Sequence, residues 1–167
     1  MTPIALSIGA NLGDRIGALQ GAVDALTAAE GVRVTGVSAV FETDPVGGPS
    51  QPDYLNAVVV GETDLSPHAL LELAHEIERQ WDRTREVRWG ARTLDIDIIT
   101  MGDVAVSDAT LQIPHPRAAE RAFVVVPLAD VDPRALIGDV RVSVLVARLD
   151  CSGVRPSTLR LRIREQA

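Results

Sequence analysis

Apolar residues alternate at Ile4, Leu6 and Ile8, a spacing that predicts a strand near the start of the chain. Gly9-Ala10-Asn11-Leu12-Gly13 reads as a tight turn after it. Ile16, Leu19, Val23 and Leu26 recur at helical spacing. They predict a helix over 14–29, opened by Asp14 and closed by Gly31. Residues 32–41 are rich in β-branched side chains and predict a second strand. Residues 42–53 carry Pro45, Gly47, Gly48, Pro49 and Pro52, which makes a long loop. Ala57-Val58-Val59-Val60 marks a buried strand within 54–61. Ser66-Pro67 then starts a helix with a cap and a first-turn proline. Its apolar stripe is Leu70, Leu71, Ala74, Ile77 and Trp81. Residues 82–92 have no apolar period and predict a second long loop. In the strand expected over 93–100, Leu94, Ile96 and Ile98 face one way, and Asp95 and Asp97 face the other.

The rest of the chain is less regular. Residues 108–123 read as loop around Pro114-His115-Pro116, and 123–128 are short and apolar. Residues 140–149 fit a helix or a strand equally. Leu159, Leu161 and Ile163 alternate with Arg160, Arg162 and Arg164, which suggests an edge strand with a solvated arginine face. The order β-α-β-β-α-β plus a C-terminal extension is the ferredoxin-like pattern. It predicts an α+β fold, an antiparallel sheet with helices on one face, in one domain over 1–167.

Composition narrows the chemistry. With 46% hydrophobic residues the chain can bury a sizeable core. A net charge of −7 argues against nucleic-acid and anionic-membrane partners. All sixteen basic residues are arginine, so Walker-type, Schiff-base and general-base lysines are ruled out. Lone Cys151 and the absence of a long apolar run suggest a soluble cytoplasmic protein.

The local chemistry concentrates in 83–97. Arg83, Arg85, Arg88 and Arg92 fall within ten residues, directly before Asp95 and Asp97. Guanidinium forks suit phosphate oxygens. Two acids on one strand face, about 6–7 Å apart at the backbone, suit one Mg²⁺ or a pair about 3.5–4 Å apart. Each feature alone has a plain alternative: solvated acids on an exposed strand, or a charged surface loop. His115, held between prolines and followed by Arg117 and Arg121, can donate to a phosphate. Taken alone it is also an ordinary surface histidine, as His68 and His75 are read to be. Tyr54 and Asn56 share a strand face, where a ring and an amide suit a flat heterocycle. They also fit a core tyrosine beside a turn asparagine. Gly9 to Gly13 lacks phosphate-loop spacing and reads as a turn shaping the pocket floor.

Together these blocks resemble the 6-hydroxymethyl-7,8-dihydropterin pyrophosphokinase family of folate biosynthesis. The matching segments are Gly9 to Gly13, Gln51-Pro52-Asp53-Tyr54-Leu55-Asn56, Arg83 to Ile99, and Pro114 through Phe123. The resemblance spans about Ile4 to Leu128. It implies a ferredoxin-like, monomeric, ATP-dependent enzyme that moves the β,γ-pyrophosphate of ATP to the pterin hydroxymethyl group and leaves AMP. By the same resemblance, Asp95 and Asp97 hold two Mg²⁺ ions. Arg83, Arg92, His115 and Arg121 contact the polyphosphate, with Arg85 and Arg88 as further members and Glu78 near the nucleotide. Tyr54 and Phe123 sandwich the reduced pterin, and Asn56 reads its amide edge. Thr43, Asp44 and Val46 line the pocket, and Trp89 closes over it. Arg83, Arg92 and Asp97 are the catalytic candidates, Asp97 as a proton acceptor. Three departures from the family's pattern are Ala10 for serine, Ala91 for proline and Asp82 for glycine.

Two other readings stand beside this one. A nucleotide-sugar transferase also uses Asp-x-Asp to bind metal and diphosphate, but usually needs a larger domain. A ferredoxin-like binding module needs no catalysis at all.

Overall fold

The computed structural model describes residues 1–44, 53–81 and 93–164. Strand β1 (Thr2–Ala10) leads into helix α1 (Arg15–Ala28). Gly9 and Ala10 continue the strand, so the turn is shorter than the glycine spacing suggests. Gly13, with φ +68, makes that turn. The Asp14 carboxylate accepts from the Gly17 N–H at 3.0 Å and caps the helix as expected.

Two short strands, β2 (Val32–Val37) and β3 (Phe41–Thr43), replace the single one expected over 32–41. Both pair with β4 (Tyr54–Thr63). Between them Ser38 interrupts the ladder. Its N–H donates to the Val58 carbonyl, and its Oγ accepts from the Val58 N–H at 2.9 Å. Helix α2 (Pro67–Trp81) starts where Ser66 and Pro67 predict, with Ser66 Oγ accepting from Ala69 N–H. Strand β5 (Asp95–Met101) follows.

The main sheet runs β10-β3-β4-β1-β5, where β10 is the C-terminal strand Val154–Pro156, with β2 also on β4 and every pairing antiparallel. For the βαββαβ unit this is the ferredoxin-like order. Leu6, Ile8, Leu55, Ala57, Val59, Ile96 and Ile98 point to α1 and α2, where Leu19, Leu26, Leu70 and Ile77 are almost fully buried. Each such side chain contributes about 1.5–3 kcal/mol on leaving water. Trp81 closes the α2 end against Gly21 of α1, where a Cβ would sit 2.5 Å from the ring.

Helices do not stay on one face, as the sequence suggested. After the hairpin β6 (Val106–Ser107) and β7 (Gln112–Ile113) and a 3₁₀ turn (Ala118–Glu120), α3 (Ala122–Val131) crosses the opposite face. A second hairpin, β8 (Leu136–Ile137) and β9 (Val140–Arg141), leads into α4 (Val142–Arg148). Val124, Val125, Leu128, Val142 and Leu145 bury Ala5, Val58 and Ile99 on that side. Residues 123–128 are therefore helical, and 140–149 hold two strand residues and then a helix.

The tail differs from its predicted edge strand. The extra strand is β10 (Val154–Pro156), paired with β3. Residues 159–163 instead form a strap over α1. The Gln20 amide donates to the Arg162 carbonyl and accepts from its N–H, Arg164 pairs with Asp24, and Leu161 alone of the three apolar residues is buried.

At the β2 bulge between Val34 and Gly36, the Arg33 carbonyl lies over Gly61, 2.2 Å from where a Cβ would stand. Gly61→Ala must part backbone from backbone. We expect a loss of about 1–3 kcal/mol in denaturant unfolding, as in other overpacked sites. An unchanged midpoint would show that the bulge relaxes freely.

Candidate active site

The second face of the sheet is apolar only at one end. Toward the end where β1 and β3 finish and β4 and β5 begin, its residues become small or polar. Strand register aligns Asp95, Gly9, Asn56 and Phe41 in one row across β5, β1, β4 and β3. Strands lie about 4.8 Å apart, so the backbones at Asp95 and Asn56 are about 10 Å apart. Asp97 stands in the next row opposite Ser7. The two acids share one face as alternation predicts, while Leu94, Ile96 and Ile98 are buried on the other.

Gly9 lies between the acid and the amide. A Cβ there would be 2.5 Å from Asn56 Oδ1, so the carboxamide rests over the bare backbone. Asn56 is 5% exposed, and its Nδ2 donates to Thr43 Oγ1 at 2.7 Å. With Nδ2 turned to Thr43, a second Nδ2 hydrogen and Oδ1 define the recognition edge. Tyr54 pairs with Thr43 at the strand ends.

The outer edge of β5 is covered by two side segments. Glu78, from the last turn of α2, accepts from the Ile96 N–H at 2.9 Å. Burial, together with the Asp95 and Asp97 charges, pushes its carboxyl up to about 7 against the opposing Ile96 bond. Further along, the His115 N–H donates to the Ile99 carbonyl at 2.9 Å, anchoring Pro114-His115-Pro116 beside the acids. Burial and the Arg121 guanidinium lower the His115 pKa; Asp95 opposes this and Arg117 adds to it. The net effect favours the neutral ring. Its Nδ1 accepts from the Arg117 N–H at 3.2 Å, so the proton sits on Nε2. Arg121 precedes α3 and stands over the Phe123 ring, 5.6 Å from its centroid. Phe123 packs at the margin of the second core.

The structure thus gathers Asp95, Asp97, Glu78, His115 and Arg121 around β5, and Thr43, Tyr54 and Asn56 at the β3–β4 end. Asp44 is engaged by Arg155 at 2.9 Å. Val46, Arg83, Arg85, Arg88, Trp89 and Arg92, with the departures Asp82 and Ala91, lie outside the described residues. Arg155 was not anticipated: its acidic partners are 111 and 102 residues away in sequence. The role of Gly9 was read as a turn, and only the strand register shows what its missing side chain does.

Among the described residues no group of three or more His, Cys, Asp or Glu side chains forms a ready metal cage. Two carboxylates on one face fit a hard divalent cation that completes its shell with water and substrate oxygens. On β1 their register partners are the small residues Gly9 and Ser7.

Comparison with known proteins decides the family. The sequence profile described as 7,8-dihydro-6-hydroxymethylpterin-pyrophosphokinase matches residues 5–133. The chain belongs to that family. A Methylorubrum extorquens protein named 2-amino-4-hydroxy-6-hydroxymethyldihydropteridine pyrophosphokinase is 45% identical over 154 residues, covering 92% of this chain and 98% of its own. A Bacillus subtilis protein of the same name is 46% identical over 126 residues, 75% of each chain. The fold is also that of a Plasmodium falciparum HPPK-DHPS crystal structure with pteroate, at TM-score 0.68 and 15% identity. That match covers 88% of this chain but 42% of the other, so this chain spans about two fifths of that protein. Family membership makes the chain a diphosphokinase of folate biosynthesis that transfers pyrophosphate to hydroxymethyldihydropterin with release of AMP. The sugar-transferase and binding-module readings fall away.

The Glu78 carboxyl gives a pH signature. Between 4.5 and about 7 the unfolded chain ionises this group while the folded chain holds its proton. Its contribution to stability is full below 4.5 and is lost as pH rises through 7. Glu78→Gln keeps an acceptor for Ile96 and removes the charge. In metal-free buffer its gain in melting temperature should be larger at about pH 8 than at about pH 5. Equal shifts at both would mean that the carboxyl is not held neutral by its surroundings.

Proposed function

We propose that the polar end of the second sheet face carries out this transfer with ATP as donor, using two Mg²⁺ ions held by Asp95 and Asp97. The observation that carries the reading is the cross-strand row, which sets Asp95, with Asp97 one row further along, about 10 Å from the Asn56 amide with only Gly9 between. A flat heterocycle read by Asn56 then directs its far substituent toward the acids.

Asp95 and Asp97 would hold the magnesium, which would supply charge neutralisation for the polyphosphate and activation of the hydroxymethyl oxygen. The chain's own groups do the rest. Neutral His115 donates its Nε2–H to a phosphate oxygen, and Arg121 adds a cation beside it. Arg83 and Arg92 complete the polyphosphate contacts, with Arg85 and Glu78 on the nucleotide. Thr43 holds Asn56 so that its amide pairs with the pterin edge. Tyr54 and Phe123 supply the two ring faces, and Asp44 and Val46 line the pocket. Trp89 covers the bound substrates and excludes water. Asp97 takes the hydroxymethyl proton. Catalysis by this set is positioning and charge stabilisation rather than covalent chemistry. The enzyme acts as a single-domain cytoplasmic monomer on ATP and a reduced pterin, with no nucleic-acid or membrane partner. Among the described residues, no helix is long and apolar enough to cross a membrane.

AMP formation from ATP, Mg²⁺ and 6-hydroxymethyl-7,8-dihydropterin tests the whole reading. Asp97→Ala should lower turnover by more than about a hundredfold while unfolding stays cooperative, since Asp97 stands off the core face. Near-normal turnover in a folded variant overturns the metal assignment. Gly9→Ala pushes the Asn56 amide aside. It should weaken pterin binding about tenfold or more, because an amide reader moved by an ångström leaves polar groups unpaired. Unchanged pterin affinity would take Asn56 out of the recognition role.

A further inference from the structure

We infer that Arg155, in the C-terminal strand β10, is a positioning residue for the pterin end of the site. Its guanidinium forks between two acids, Nη1 to Asp44 Oδ1 and Nη2 to Asp53 Oδ2, both at 2.9 Å. Asp44 directly follows β3, and Asp53 directly precedes β4. These are the two positions flanking the Thr43–Tyr54 pair, one residue outside it. One side chain therefore ties together the strand ends that carry Thr43, Tyr54 and Asn56.

Three further observations make this a built arrangement. The Asp44 N–H donates to the Gly153 carbonyl at 3.1 Å, so backbone as well as side chain joins the tail to the β3 end. Val154, Arg155 and Pro156 pair with Thr43, Glu42 and Phe41, which fixes where the guanidinium starts. Arg15 braces the same corner from below, donating to the Asp53 carbonyl at 2.8 Å and facing Glu42 at 3.8 Å. Glu42, Asp44 and Asp53 would otherwise repel one another across the strand pair. Without Arg155, the Asp44 and Asp53 carboxylates swing apart, the Thr43–Tyr54 pair loosens, and the Asn56 amide loses its fixed neighbour.

The pairs are partly exposed, with Arg155 at 44% and its acids at 60% and 40%. Such pairs contribute modestly and are screened by salt. The effect belongs to substrate geometry rather than to global stability. The inference rests on Thr43, Tyr54 and Asn56 holding the pterin.

The test is steady-state kinetics with ATP and 6-hydroxymethyl-7,8-dihydropterin, together with equilibrium binding of the pterin. Arg155→Ala should raise the pterin KM about three- to tenfold, leaving kcat and the ATP KM within about twofold, as expected for a few weak ion pairs lost. Arg155→Lys, a single point charge, should recover only part of the loss. Asp53→Asn in the Arg155→Ala background removes the repulsion and should restore much of the affinity, which a merely structural defect would not allow. Raising salt should increase the wild-type pterin KM and leave that of Arg155→Ala nearly flat. A pterin KM unchanged in Arg155→Ala, or no recovery in the double variant, overturns the positioning role. Asn56→Ala run in parallel separates the failures: if it too binds pterin normally, the pocket assignment itself is wrong.

Discussion

The two-residue period of the central strands is the constraint on which this structure depends. β1, β4 and β5 each send alternate side chains to opposite faces. One face is apolar along its whole length, and α1 and α2 cover it. The other changes character midway, from Ala5, Val58 and Ile99 under α3 and α4 to Ser7, Gly9, Asn56, Asp97 and Asp95. Core and site are therefore consecutive stretches of the same strands. A one-residue slip of β5 on β1 would bury both aspartates and expose Ile96 and Ile98. The burial of those isoleucines, at 4% exposure each, thereby holds the acids in place.

Much of this was legible in the chain, because five elements carry strong periods. β1, α1, β4, α2 and β5 follow from alternation, helical spacing and caps at Asp14 and Ser66. The Asp95–Asp97 face followed from the same rule. What was not legible depends on contacts between distant segments. Helix α3 is apolar on nearly all sides and contains Pro127, so it has no amphipathic stripe to read. It becomes a helix because the second sheet face needs cover. The alternation at Leu159, Leu161 and Ile163 pointed to a strand, yet no strand edge is available there. The Gln20 amide satisfies the Arg162 backbone in place of a ladder. Residues 32–41 look like one strand because Val32, Val34, Thr35 and Val37 before Ser38 and Val40 and Phe41 after it all favour strands. Only its hydroxyl bond to Val58 reveals the break.

Glycine shows the same limit within the site. Gly9 and Gly13 belong to one motif in sequence but act by different physics. Gly13 supplies a left-handed turn. Gly9 lies in extended backbone and is needed for space, since Asn56 occupies the volume of its absent side chain. Sequence marks both positions as small, and neighbouring strands alone tell why.

Charge is arranged differently at the two ends of the site. At the β3–β4 end, the chain balances its own acids: Arg15 and Arg155 stand against Glu42, Asp44 and Asp53, with β10 and α1 carrying the arginines. At the β5 end, Asp95, Asp97 and Glu78 lie together, and burial, with the two aspartate charges adding to it, raises the Glu78 pKa. His115 beside them is biased toward its neutral form by burial and by Arg121. The first arrangement suits a neutral, flat ligand that needs fixed walls. The second places two carboxylates together, as hard-cation ligands are. The division follows from which strand ends the C-terminal extension reaches: β10 pairs with β3, at the edge of the sheet opposite β5.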